Sequence, residues 1–172
     1  MIATPSDTDR LRFRVPAADD ATFYLELMND PAYHHFIGDK GIRDEAAMRA
    51  YILETLRPSF ETHGFGLWLI ERLDTGKPCG MCGLVNREGF SQPDLGYALL
   101  EDARGQGIGL EAARSVLAFA AEKLKLTAVP AYTHPENNRS GQLLKKLGFL
   151  HVGQIAWPST GDTAERYEWH AA

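Results

Sequence analysis

Arg104-Gly105-Gln106-Gly107-Ile108-Gly109 follows a strand-like segment, Leu95 to Leu100, and runs straight into an amphipathic pattern from Leu110 to Leu124. Three alternating glycines opening a helix present several backbone N–H groups with no Cβ in the way, and the helix dipole adds partial positive charge there. Such a turn suits an anion, above all a phosphate. A dinucleotide-binding turn wants G-x-G-x-x-G near the start of a βαβ unit, whereas here the third glycine comes one residue early and well past the middle of the chain. A P-loop needs Lys and Ser/Thr directly after its last glycine, and Leu110 and Glu111 stand there instead.

A second segment, Asn137 to Phe149, reads as a capped helix. Asn137 is a good N-cap, Leu143, Leu144 and Leu147 form an apolar stripe, and Gly148 terminates the helix before the next strand. Arg104, Gly107 and Gly109 taken as R-x-x-G-x-G, and Asn137, Ser140, Lys146, Gly148 and Phe149 taken as N-x-x-S-x-x-x-x-x-K-x-G-F, resemble two motifs of the GNAT (general N-acetyltransferase) superfamily. Gly80-Met81-Cys82-Gly83-Leu84 and Asp94-Leu95-Gly96-Tyr97 are similar to strands of its RimJ/RimL-like branch.

With 172 residues and 44% hydrophobic content the chain suits one domain, residues 1–172, with an ordered core from about residue 8. It has no run of eighteen apolar residues, no leader-like N-terminus and no fixed-period repeat, so a cytoplasmic protein with no membrane partner is expected. A net charge of −5 without clustered Lys and Arg argues against a nucleic-acid partner. Cys79 and Cys82 form a C-x-x-C, but it lies in a Gly-rich strand pattern without further ligands, and His34 and His35 point apart in any regular element. Reduced thiols and no metal are expected.

Leu11, Phe13 and Val15 alternate with polar neighbours as a half-buried strand would. Asp19 or Asp20 can cap a helix carrying Phe23, Tyr24, Leu27 and Met28, ended by Asn29-Asp30-Pro31, and a second helix runs from about Asp44 to a stop near Pro58. Strands are predicted at Phe65–Glu71 and Cys79–Val85 around the hairpin signal Asp74-Thr75-Gly76, then at Asp94–Leu100, Thr127–Thr133, Phe149–Ile155 and Arg166–Trp169. The order βααβββαβαββ matches the GNAT fold. The resemblance implies an α/β (α+β) domain whose mixed, mostly antiparallel sheet of about seven strands splays between strands 4 and 5, flanked by four helices, with acetyl-CoA in the V.

The resemblance further implies an acetyl-CoA-dependent N-acetyltransferase that moves an acetyl group to a primary amine, a protein N-terminus or a small molecule, by direct attack in a ternary complex. No cysteine lies on the Asp94 strand to carry a covalent acetyl. The amides of Gly105, Gln106, Gly107, Ile108, Gly109 and Leu110 would hold the diphosphate, with Arg104 as charge partner and Asn137 on the pantetheine arm. A β-bulge across Tyr97, Ala98 and Leu99 would free N–H groups for the thioester carbonyl. Asp94 is the leading general base, with Glu88 and His134 behind it, since a lysine-like amine of pKa about 10.4 is almost wholly protonated at neutral pH while an N-terminal amine near about 7.8 is not. Ser140 stands in for the tyrosine that many members carry where this chain has Leu144, and it is also a candidate contact of the coenzyme A itself. Tyr33, Phe36, His134 and Trp157 are candidates for the acceptor pocket, and a homodimer is compatible with the family. An acyl-CoA-binding sensor domain without turnover is the alternative, prompted by Leu144.

Overall fold

The computed structural model describes residues 1–172. Its seven strands form two antiparallel sheets that part company between the fourth strand and the fifth. β1 (Leu11–Arg14), β2 (Leu67–Arg72), β3 (Pro78–Val85) and β4 (Asp94–Leu99) run in spatial order 1-2-3-4, and β5 (Ala128–Thr133), β6 (Leu150–Ala156) and β7 (Thr163–His170) run in the order 5-7-6. No ladder joins β4 to β5, so the splay expected from the resemblance is present.

The helices depart from the sequence reading in two places. α1 (Ala21–Met28) ends at Asn29 as expected, but Asp30-Pro31 also opens α2 (Pro31–Phe36). The Asp30 carboxylate accepts from the amides of Ala32 (2.9 Å) and Tyr33 (3.3 Å), and Pro31 occupies the first helical position, where its missing N–H costs nothing. The helix expected to stop near Pro58 does not stop. α3 (Glu45–Tyr51) passes through a π turn, Ile52–Leu56, into α4 (Arg57–His63), and the Arg57 N–H reaches back five residues to the Ile52 carbonyl. The widened turn lets the helix absorb Pro58 near the start of its next segment. With α5 (Ile108–Glu122) and α6 (Asn138–Lys146) there are five helical rods, α3 and α4 forming one, rather than four.

The first sheet is covered on both faces. Trp68 and Ile70 of β2 pack with Ile108, Val116 and Phe119 of α5 in the larger apolar cluster. Leu69, pointing the other way, packs with Tyr24, Leu27, Met48 and Ile52 of α1, α3 and the π turn. The same alternation sorts β4: Leu95, Tyr97 and Leu99 belong to the α5 side, while Ala98 belongs to the α1–α3 side. Asp94, separated from Ala98 by an even number of residues, shares that second face, and this division places the chemistry below.

Candidate functional site

The glycine turn is a bed of unused donors. A single 3₁₀ turn, Glu101–Ala103, leads from β4 to Arg104, and Gly105 (φ 73°) and Gly107 (φ 78°) then adopt the left-handed conformation that side chains disfavour. Gly107 is the N-cap of α5 and offers no side-chain acceptor. The amides from Gly105 through Leu110 make no hydrogen bond within the chain, and the first to do so is that of Glu111, to the Gly107 carbonyl at 3.0 Å. Six consecutive N–H groups at the positive end of a fifteen-residue helix therefore remain for an anion.

The guanidinium of Arg104 is not aimed into that bed. It donates to the Leu99 carbonyl (3.0 Å) and to the Asp30 carboxylate (3.0 Å), tying the turn to the cap of α2. Arg10, which the sequence reading missed, donates instead to the Gln106 carbonyl (2.8 Å) and to Glu111 (2.8 Å), bracing the turn from the residue just before β1. Asp30 thus serves two partners at once, and Arg104 holds its carboxyl below the usual range against the opposing pull of burial. Asp30→Ala should lose about 1–2 kcal/mol of stability in urea unfolding, at the upper end for an N-cap because the ion pair goes with it.

The register of β4 with β3 is unbroken from Asp94–Val85 to Leu99–Gly80, so the bulge expected at Tyr97–Leu99 is absent. Free donors arise by another route. The Leu100 N–H bonds the Cys79 carbonyl, and antiparallel alternation then directs the amides of Ala98, Gly96 and Asp94 toward β3 and those of Leu95, Tyr97 and Leu99 toward the open splay. The missing ladder with β5, not an extra residue, frees them.

Asp94 is 2% exposed and grips Arg87 through both oxygens, at 2.9 and 3.3 Å. Burial raises its pKa, and the Arg87 guanidinium only partly offsets this. Nothing in the spacing of the sequence singled out Arg87. It lies just past the β3–β4 pairing that ends at Val85–Asp94, and a cation opposite an aspartate across a hairpin was the available signal. Arg87 also lies over the Trp157 ring, 5.2 Å from its centroid. Phe90, Tyr132 and Trp157 form a three-ring cluster with centroids 5.1–5.5 Å apart. The cleft beside them, about 430 Å³, is walled by Arg87 to Phe90 and Trp157 to Ser159, with Glu88 among its lining residues.

The other expected acceptor residues separate. Tyr33 is core, 6% exposed among the α1–α3 side chains, with its phenol pKa raised by burial. Phe36 and His134 meet edge to face at 5.7 Å. His35, His134 and Glu136 bring their ligand atoms within 4.8 Å of one another. His134 Nδ1 already accepts the Glu136 N–H (3.1 Å), and His35 Nε2 contacts the Glu136 carboxylate (3.1 Å). Cys79 and Cys82 are buried free thiols.

On α6, Asn137 acts as the N-cap, its side-chain oxygen accepting the Ser140 N–H at 3.2 Å. The Ser140 hydroxyl is hydrogen-bonded to the phenol of Tyr97 on β4, whose carbonyl-directed contact with Ser140 is longer, 3.4 Å. Leu144 is fully buried in the core. Gly109 lets α5 approach α6, since a Cβ there would sit 3.0 Å from Leu143 Cδ1.

Residues 10–150 match the sequence profile of the acetyltransferase (GNAT) domain. The uncharacterized protein YkkB of Bacillus subtilis is 29% identical over 151 residues, 86% of either chain. Among solved structures, an acetyltransferase from Agrobacterium tumefaciens superposes with a TM-score of 0.82 at 24% identity, covering 98% of this chain and 95% of the other. The RimL ribosomal L7/L12 alpha-N-protein acetyltransferase does so with a TM-score of 0.80 at 16% identity, covering 99% and 96%. A splayed sheet, a glycine turn with six open amides and a domain match spanning most of its length come together in one chain, which belongs to the GNAT acetyltransferase family.

Proposed function

We propose that the chain is an acetyl-CoA-dependent N-acetyltransferase acting on a primary amine by direct attack within a ternary complex. The observation that carries this reading is the run of unpaired amides from Gly105 to Leu110, which matches the donor requirement of a diphosphate. Acetyl-CoA supplies the acetyl group as a thioester. The Gly105–Leu110 amides would hold its diphosphate, Asn137, through the side-chain N–H groups its capping role leaves over, its pantetheine arm, and the splay-facing amide of Tyr97 or Leu99 its carbonyl oxygen.

Asp94 then serves as general base. Burial makes it a stronger base than an ordinary carboxylate, and Arg87 fixes its orientation. It takes, directly or through one water, the proton that the amine surrenders as the bond to the acetyl carbon forms. Tyr97 and Ser140 face the side from which sulfur departs with the electron pair of the broken bond. The cleft between Arg87–Phe90 and Trp157–Ser159 would take the acceptor. The likeness to RimL makes protein N-termini one class of acceptor to test, beside small amines.

Release of free thiol from acetyl-CoA across a panel of peptides, polyamines, amino acids and aminoglycosides tests the reading. Turnover with any acceptor is the expected outcome. Tight binding with no turnover on the whole panel would put the sensor reading in its place, and a thermal shift with ATP or NAD but not with acetyl-CoA would remove both.

A further inference from the structure

We propose that Tyr97 is a positioning residue: its phenol donates to Ser140 Oγ and so turns the serine's own hydrogen outward, toward the sulfur that leaves. This deepens the acetyltransferase reading above and rests on it. Asp94 and Tyr97 are three residues apart on one strand, so their side chains leave opposite faces of the sheet. Asp94 emerges beside Arg87 and the acceptor cleft, whereas Tyr97 emerges on the α5 side and reaches α6. The splay-facing amides of β4 lie at the strand edge between the two faces. Acyl transfer proceeds by addition of the amine to one face of the planar thioester carbonyl, the electron pair of its π bond moving onto oxygen, and the tetrahedral adduct then expels sulfur; a base beside the entering amine and a hydroxyl pair beside the departing sulfur serve these two ends separately.

Either oxygen of the Tyr97–Ser140 pair can donate, and the assignment of the phenolic hydrogen to Oγ rests on Oγ being nearer to the phenol than the Ser140 carbonyl, at 3.4 Å. Burial pushes the Tyr97 pKa up to about 12, which keeps it a donor throughout the neutral range. The other titratable groups facing it are Cys82 from β3, whose thiol is kept protonated by burial, and Tyr167 from β7, so no carboxylate or ammonium competes for the pair. The Ser140 amide is spent on Asn137, which holds the serine in place in the first turn of α6 and leaves its hydrogen as the mobile donor. A charge-assisted bond of this kind stabilises a thiolate over a thiol. No proton need cross to sulfur for turnover: the thiolate leaves as the anion and takes a proton from solvent on release.

The test reads the thiol of coenzyme A itself, bound to the protein, by its ultraviolet thiolate absorbance against pH, with the CoA-free protein subtracted. The protein's own thiols do not interfere, because burial pushes Cys79 up to about 11 and Cys82 further. Bound to the wild type, the thiol should titrate about one pH unit below free coenzyme A, a tenfold preference for the thiolate. In Tyr97→Phe and in Ser140→Ala that shift should vanish, and the double variant should go no further. With any accepted amine, kcat should fall about tenfold in each single variant and no more in the double, with KM for acetyl-CoA unchanged. Calorimetry with CoA below its titration range should give equal affinity for wild type and both single variants. The proposal is overturned if wild-type-bound CoA titrates like free CoA, if Tyr97→Phe keeps the shift, if the two effects multiply, or if Tyr97→Phe weakens CoA binding at low pH, which would make the ring hydroxyl a packing element. A wild type that binds no CoA at all fails earlier, at the acetyltransferase reading itself.

Discussion

Asp94→Asn should lower the rate with a lysine-like amine by about a hundredfold or more, the range that a positioned general base contributes. The substitution keeps size and most hydrogen bonding, and Arg87, more than a third exposed, can turn to solvent, so the loss reports proton transfer rather than collapse of the site. With an N-terminal amine of pKa about 7.8, a substantial fraction is already neutral at working pH, and the loss should shrink. The ratio of the two losses separates a base from a mere anchor, which would reduce both equally. The pH profile adds a sign. Because burial raises the Asp94 pKa, the acid limb of kcat/KM should lie above the ordinary carboxylate value of about 3.9, and it should disappear in Asp94→Asn.

Linkage runs the opposite way to that of most carboxylates. The folded protein holds the Asp94 proton to higher pH than the unfolded chain does. Its contribution to stability is therefore full below about pH 3.9 and is lost as pH rises through the folded pKa. Near neutrality the wild type bears the whole cost of a buried carboxylate, and Asp94→Asn, uncharged in both states, should melt no lower than wild type in a thermal scan. A variant far slower and equally stable is the signature of a residue kept for chemistry.

What could be read from the chain depends on the range of the forces involved. β1 was legible because burial on a pleated surface imposes a period of two, as at Leu11 and Phe13, β2 and β3, buried on both faces without alternation, because the hairpin signal Asp74-Thr75-Gly76 stands between them, and the Asn137 helix because its cap and its Gly148 terminator are local. Asp30-Pro31 signals a stop to α1, yet Pro is as much a starter as a breaker when an aspartate precedes it, and the same pair opens α2. Pro58 misled for a related reason: a π turn upstream rearranges the bonds that a proline would otherwise break, and nothing in the local sequence announces it. The splay came from resemblance alone.

The site divides in the same way. The Gly105–Leu110 bed was legible since it rests on backbone conformation that only glycine adopts readily. The pairing of Tyr97 with Ser140, 43 residues apart, and of Arg104 with Asp30, 74 apart, was not, because each depends on how two elements pack rather than on either sequence segment. The bulge at Tyr97–Leu99 shows the hazard of carrying geometry over by likeness. The free donors that it was meant to supply are present, but an unpaired strand edge supplies them, with no distortion of β4.

Gly107→Val should weaken acetyl-CoA binding about a hundredfold or more while leaving the protein folded. At φ 78° a β-branched residue is strained by about 1–3 kcal/mol, so either the turn holds and stores that strain or it relaxes and the amides on either side rotate. The space around it does not decide the matter: the nearest atom to a Cβ would be Arg10 Nη2, at 3.5 Å, an ordinary contact at the end of a flexible side chain. Rotation is the cheaper outcome, and it takes the donors out of convergence. Hydrogen bonds to a charged group contribute about 1.5–3 kcal/mol each, so losing two already exceeds a hundredfold in affinity. Gly109→Ala is the control. Its backbone needs no left-handed conformation, and its Cβ meets only the flexible tips of Leu143, at 3.0 Å, and Leu99, at 3.6 Å, so it should cost a few-fold in affinity at most. Calorimetry on the two variants beside a thermal scan separates the cases. A hundredfold loss at Gly107 without one at Gly109 locates the diphosphate grip in backbone direction rather than in space, and an unchanged Kd for Gly107→Val would mean that the six open amides are not what binds the cofactor.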